Sequence, residues 1–284
     1  MNNSLKISIC SIAYFGYGLA VILKQIKEIG CKLIEFSFIE KYDNSFNQNF
    51  FTSENAKSIN NLLYRYNVEC FAMSSHMDLG FKDSFDIFKK RIEFAKKIGA
   101  STIISNSSTK DKSLTFMDTI QKLAYFAEKK GIVISLENPG DGSNNLIGTG
   151  EEGLEIVKKI NSDFVKLNYD FLNIYTYSKG NNGLLKDLDY AIDQSVHFHL
   201  KNIFKKDGLY YFTAINDNII KYSEILKKIY LRKNCISIGL ELPLRFYYNN
   251  RFDLIYSPLL PLPKVSEINN TLQSSMDYIL SCFK

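Results

Sequence analysis

Short strand-like runs alternate with amphipathic helical stretches along nearly all of this 284-residue chain. Strand candidates begin near Lys6, Lys32, Val68, Ser101, Ile132, Phe164, Ser195 and Cys235. Over most of the chain these starts recur at roughly 30–35 residues, the length one strand–helix unit needs. Between them, Phe85 to Ile98 (FDIFKKRIEFAKKI) sets apolar residues at helical spacing with charges opposite, and Leu114 to Lys130 and Ile219 to Ile229 repeat the pattern. Thr149 to Glu152 (TGEE) fits a capping box opening the helix of Leu154, Ile156 and Val157. Gly99 and Gly131 stand where a helix hands over to a strand. Strands separated by helices pair in parallel, and eight such units predict a closed (β/α)8 TIM barrel, an α/β fold forming a single domain over residues 1–284. The competing architecture is an open doubly wound sheet. Against it, the first strand–turn segment (SICSIAYFGYG) lacks a GxGxxG, and no Walker-type phosphate loop occurs.

Four strands in the second half end on a residue that can ligate a metal. They are Val133–Glu137, Val165–Asp170, Val196–His199 and Ile236–Glu241. Alternate side chains of a strand face opposite sides. One side collects Ile134, Leu136, Leu167, Tyr169, Phe198, Ile236, Ile238 and Leu240; the other collects Ser135, Glu137, Asn168, Asp170, His197, His199, Ser237, Gly239 and Glu241. Barrel enzymes place their chemistry at the C-terminal strand ends. Glu137, Asp170, His199 and Glu241 are therefore expected in one mouth, with Glu35 added by the second strand and His76 by the third.

Three carboxylates crowded together repel one another unless they are protonated or neutralised by a cation. Two Glu, one Asp and one imidazole form a hard ligand set that favours one divalent metal, Mn²⁺, Co²⁺, Mg²⁺ or Zn²⁺. His197 lies one layer deeper and reads as a satisfied interior histidine. Lys201 points inward two residues beyond His199, where it would hold a substrate oxygen or phosphate; a surface lysine is the other reading. Arg245 carries the same two readings.

The net charge of +5 suits an anionic small substrate or simply a lysine-rich surface. Five scattered cysteines without a CxxC read as free thiols in a reducing compartment. Glycines interrupt the apolar N-terminal run, and no segment has the length of a membrane span. A cytoplasmic protein with no membrane partner is expected. Pro243 to Pro263 is too long for an ordinary loop and reads as a lid or an oligomer contact.

The segments LEN (Leu136–Asn138), NYDFLN (Asn168–Asn173), HFHLKN (His197–Asn202) and GLEL (Gly239–Leu242) resemble the xylose isomerase-like TIM barrels. That superfamily includes sugar-phosphate isomerases and epimerases, ketose 3-epimerases, inosose-processing enzymes and AP endonuclease family 2 proteins. LIEFSF, SSHMDL and FKKRIEFAKKIGAS extend the similarity over nearly the whole chain. The resemblance implies Glu137, Asp170, His199 and Glu241 as metal ligands, with Glu137 and Glu241 moving protons. It implies that His76, Asn173 and Lys201 bind substrate hydroxyls and that Glu35 orients His76 or the substrate. Many members read Asp-x-x-His where this chain has Asp170-Phe171-Leu172-Asn173, which argues against a multinuclear site. Only three histidines, and no basic strip interleaved with aromatics, argue against endonuclease activity and nucleic-acid partners.

The expectation is a metal-dependent isomerase or epimerase of a small-molecule sugar or sugar phosphate, working through a metal-stabilised enediolate. A keto-polyol dehydratase and a non-catalytic sugar-binding barrel are the alternatives. The resemblance also leaves a homodimer or a homotetramer as the expected assembly.

Overall fold

A computed structural model describes residues 4–39, 47–180, 183–256 and 261–284. The strands are β1 Ser4–Cys10, β2 Leu33–Ser37, β3 Glu69–Ser74, β4 Thr102–Asn106, β5 Val133–Glu137, β6 Val165–Asp170, β7 Ser195–Leu200, β8 Asn202–Lys206, β9 Leu209–Thr213, β10 Cys235–Leu240, β11 Phe246–Tyr248 and β12 Leu254–Tyr256. The helices are α1 Leu19–Glu28, α2 Ser53–Tyr66, α3 Ser84–Lys97, α4 Ser113–Lys130, α5 Gly150–Ile160, α6 Phe171–Tyr177, α7 Leu184–Ala191, α8 Tyr222–Arg232 and α9 Val265–Cys282.

Parallel pairing in the order β1-β10-β7-β6-β5-β4-β3-β2 closes a barrel. The first strand completes the ring against β10, from Ser4 beside Cys235 to Ile9 beside Leu240. The chain is thus a single-domain TIM barrel, as the spacing of strand starts predicts. Phase decides which face each residue joins. Ile134, Leu136, Leu167, Tyr169, Phe198, Ile236, Ile238 and Leu240 are buried between strands and helices. Opposite them, α4 buries Phe116, Ile120, Leu123 and Ala127, a stripe at helical spacing. Each such Ile, Leu or Phe stabilises by about 1.5–3 kcal/mol relative to exposure. The barrel interior is polar by contrast, with Ser135 bonded to Thr102 at 2.7 Å.

Some local expectations shift. The helix expected at Ile219 to Ile229 runs from Tyr222 to Arg232. At the TGEE segment only half of a capping box forms. Thr149 Oγ1 accepts from the Glu152 amide at 3.2 Å, while Glu152 turns back to the Gly148 amide at 2.8 Å. Gly131 ends α4 in the left-handed region at φ 62°, where glycine carries no Cβ penalty. All five cysteines are free.

A second, antiparallel sheet, ordered β12-β11-β9-β8, joins a hairpin that follows the seventh barrel strand to one that follows the eighth. It takes in part of the stretch from 243 to 263, expected as an irregular lid or contact: Phe246–Tyr248 and Leu254–Tyr256 are strands. Residues 257–260 of that stretch lie outside those described. Its β8–β9 hairpin turns on Asp207-Gly208, at φ 50° and 79°, the dipeptide that a two-residue hairpin turn favours. Among the described residues no helix is long and apolar enough to cross a membrane.

Candidate metal centre

The structure brings Glu137, Asp170, His199 and Glu241 together at the C-terminal ends of β5, β6, β7 and β10. One ligand atom from each lies within 4.8 Å of all the others, and all four residues are buried. His199 Nδ1 is central, at 3.1 Å from Glu137 Oε2, 3.0 Å from Glu241 Oε2 and 3.8 Å from Asp170 Oδ2.

Each residue is held by a local device. Asp170 ends β6 and caps α6: its Oδ1 accepts from the Asn173 amide at 2.9 Å, which leaves Oδ2 facing the cluster. Asn138 clamps that strand end, accepting from the Asp170 amide at 3.0 Å and donating to its carbonyl at 2.9 Å. Glu137 accepts from Asn168 Nδ2 at 2.7 Å and from Asn173 Nδ2 at 3.0 Å. Two irregularities in strand pairing set the deeper layer, one at Ile34/Glu35 and one at Leu167/Asn168. Bulges of this kind re-aim side chains near functional sites.

Glu35 lies deeper than expected. It is fully buried. Its Oε1 takes His199 Nε2 at 3.0 Å and Ser74 Oγ at 2.8 Å, and its Oε2 takes His197 Nε2 at 2.9 Å. His197 completes its bonding with Ser237 Oγ at 2.6 Å. The inward phase of Glu35 is readable in the sequence; its partners across the barrel are not. A carboxylate on Nε2 fixes one proton there, so that Nδ1 is the nitrogen that gives up its proton and offers its lone pair to a metal.

Asn173, expected to bind substrate hydroxyls, is engaged in holding Glu137 and the Asn138 carbonyl. Lys201 is no surface residue: its Nζ is 2.7 Å from both Asp170 Oδ2 and Glu241 Oε2. His76 stands at the rim with Nε2 at 3.5 Å from Glu137 Oε2. The guanidinium of Arg245 lies over the rings of Phe15 and Tyr256. Sequence reasoning also missed Arg91. Counted on the charged face of its helix, it is buried and donates to the Ser75 carbonyl and Oγ, both at 3.1 Å. It thereby anchors the turn that carries His76.

Charge explains the titration of the group. Burial pushes Glu35, Glu137 and Glu241 up, but His199 and, for Glu241, Lys201 hold all three below the usual range. Burial and the neighbouring Glu137 and Glu241 push Asp170 up to about 7, against the pull of Lys201. Burial lowers His199, yet Glu35, Glu137 and Glu241 outweigh it and raise the imidazole well above its ordinary value.

The donor set fits a hard divalent cation. Among the described residues, the buried atoms Asp170 Oδ2, His199 Nδ1 and Glu241 Oε2 have no aligned hydrogen-bond partner. Two carboxylates at such separations repel by about 3 kcal/mol at an effective dielectric near 20. A metal that keeps its ligands at about 2.1 Å spaces opposed ligand atoms by about 4.2 Å, close to the observed spread.

The family described as "Xylose isomerase-like TIM barrel" matches the chain over residues 23–251. No curated protein matches it in sequence. Solved structures share its fold. A D-allulose 3-epimerase from Methylomonas sp. is 17% identical with a TM-score of 0.67, covering 99% of this chain and 98% of its own. A xylose isomerase-like TIM barrel protein from Mycobacterium smegmatis in complex with magnesium is 13% identical with a TM-score of 0.70, covering 98% of both. The probable 3-DHS dehydratase AsbF from Bacillus anthracis is 16% identical with a TM-score of 0.68, covering 97% and 98%.

Proposed function

This chain belongs to the xylose isomerase-like TIM barrel family, and from that premise we propose that it is a divalent-metal-dependent isomerase or epimerase of a sugar or sugar phosphate. One observation carries the reading: two glutamates and an aspartate converge on His199 Nδ1, and the buried Asp170 Oδ2, His199 Nδ1 and Glu241 Oε2 lack aligned hydrogen bonds. Glu137, Asp170, His199 and Glu241 would hold the metal. When bound, it would polarise a substrate carbonyl and orient the neighbouring hydroxyl.

The protein side chains supply the proton chemistry. Glu137 and Glu241 lie on different strands, and both are held ionised, so each can accept a proton from the carbon next to a carbonyl. The partner glutamate, once it has taken up a proton from water, returns it on the opposite face for epimerisation or at the adjacent carbon for isomerisation, and the first glutamate gives its abstracted proton back to water. The amides of Asn168 and Asn173 fix the Glu137 carboxylate in position. His76, 3.5 Å from Glu137 at the rim, would meet a substrate hydroxyl. Magnesium in a neighbour of the same fold, and epimerases among the others, agree with this reading.

The test is metal analysis of the purified protein together with Glu137→Gln and Glu241→Gln on ketoses and ketose phosphates. Losing a positioned acid or base is expected to cost about 10²–10⁴-fold in turnover; full turnover by both variants overturns the proposal. A second reading is dehydration of a keto-polyol, favoured by the Lys201 ammonium 2.7 Å from Glu241, where it could protonate a departing hydroxyl. A product lighter by one water selects it.

A further inference from the structure

Lys201 is the feature of this site that metal ligation alone leaves unexplained. Its ammonium is almost completely buried and stands 2.7 Å from Asp170 Oδ2 and 2.7 Å from Glu241 Oε2. These two oxygens also face His199 Nδ1, at 3.8 Å and 3.0 Å. Asp170 has no second oxygen to spare, because its Oδ1 is used in capping α6. A metal and the ammonium thus draw on the same two atoms. Two cations bridging one oxygen pair stand so close that they repel strongly. The lysine contact is also one of charge more than of alignment. Neither oxygen has an aligned hydrogen-bond partner among the described residues, whereas Nζ donates to Asn173 Oδ1 at 3.4 Å.

We propose that Lys201 is an internal counter-cation that competes with the divalent metal for Asp170 and Glu241, and so sets how tightly the metal binds. In protein stripped of metal the ammonium neutralises part of the acidic cluster and keeps its carboxylates together. When the metal arrives, Nζ leaves the two oxygens and pivots on its flexible stem toward Asn173 and the barrel mouth. A bound substrate would meet the ammonium there. The chain thereby keeps three buried carboxylates tolerable without metal, at the expense of weaker metal binding. The inference rests on the proposed metal centre and adds a role for a residue outside the ligand set.

Its test reads metal binding rather than turnover. Mn²⁺ is titrated by calorimetry into metal-stripped wild type, Lys201→Met and Lys201→Arg. Removing a buried charge-assisted competitor is expected to tighten Mn²⁺ binding about tenfold or more in Lys201→Met. Lys201→Arg, which keeps the charge, is expected to stay within about threefold of wild type. Equal or weaker binding by Lys201→Met overturns the inference and leaves the metal centre standing. No Mn²⁺ binding by either protein overturns both. Tight binding by Lys201→Met alone supports the competition.

Wild type carries an independent arm that needs no variant. Acetic anhydride labelling of Lys201, read by peptide mass spectrometry, is expected to rise severalfold when saturating Mn²⁺ frees the amine. If it is unchanged or falls, the lysine does not move and the inference fails.

Discussion

Substituting Gly239 by alanine tests the buried layer under the metal centre more sharply than removing a ligand would. Gly239 lies in β10 beside His199 of β7. A Cβ built there would meet Glu35 Oε2 at 2.7 Å, His197 Nε2 at 2.8 Å and His199 Cδ2 at 2.9 Å. To reach an ordinary contact of about 3.4 Å those atoms must retreat by about 0.7, 0.6 and 0.5 Å. Glu35, His197 and His199 are fully buried, so none can move into solvent. Retreat also pulls Glu35 against its bonds to His197 and His199 at 2.9 Å and 3.0 Å. Overpacking costs about 1–3 kcal/mol, and loss of one charge-assisted bond adds about 1.5–3 kcal/mol. Gly239→Ala is thus expected to lose about 2.5–6 kcal/mol of stability. Because Glu35 orients His199, metal affinity is expected to fall about 10–100-fold. Urea unfolding at constant m-value and metal calorimetry read the two effects. A variant within about 0.5 kcal/mol of wild type, with unchanged metal affinity, refutes the packing of Glu35 against this glycine.

Two further outcomes follow from the same geometry. Metal binding at pH 7 is expected to release between about one and two protons. His199 is raised well above its ordinary value, and Asp170 is pushed up to about 7, so both carry protons near neutrality that ligation expels. The sign follows: affinity rises with pH through this range and weakens below it, and calorimetry in buffers of different ionisation enthalpy counts the protons. Zero release contradicts the assignment. Arg91→Met is expected to cost about 2–4 kcal/mol, because the Ser75 carbonyl and hydroxyl lose a buried charged donor. With His76 loosened, turnover is expected to fall while metal affinity holds; urea unfolding and a metal titration check both.

Much of this was legible in the sequence because it depends on phase along single strands. The period of two placed Glu137, Asp170, His199 and Glu241 on one face, and the recurrence of strand starts closed the barrel around them. Less legible was whatever depends on what lies across the barrel. Glu35 shows its inward phase locally, but its bonds to His197 and His199 span more than 160 positions. Arg91 reads as solvated on a helical wheel, yet the turn above it offers a carbonyl and a hydroxyl that keep it buried. The second sheet had a local signal in Asp207-Gly208 between LYYFT and the preceding strand. It pairs, however, with Phe246–Tyr248 across an intervening helix and barrel strand. That pairing hides in a stretch whose prolines suggest a loop.

Proton exchange in D₂O reports directly on whether Glu137 and Glu241 move a substrate proton. Metal-loaded protein is incubated with ketoses and ketose phosphates, and the carbon next to the carbonyl is followed by NMR. Proton transfer through an enediolate predicts that one substrate takes up deuterium at that carbon as it converts to its epimer or isomer, and that Glu137→Gln and Glu241→Gln each suppress the exchange. Conversion without deuterium uptake, or exchange that survives both substitutions, contradicts it.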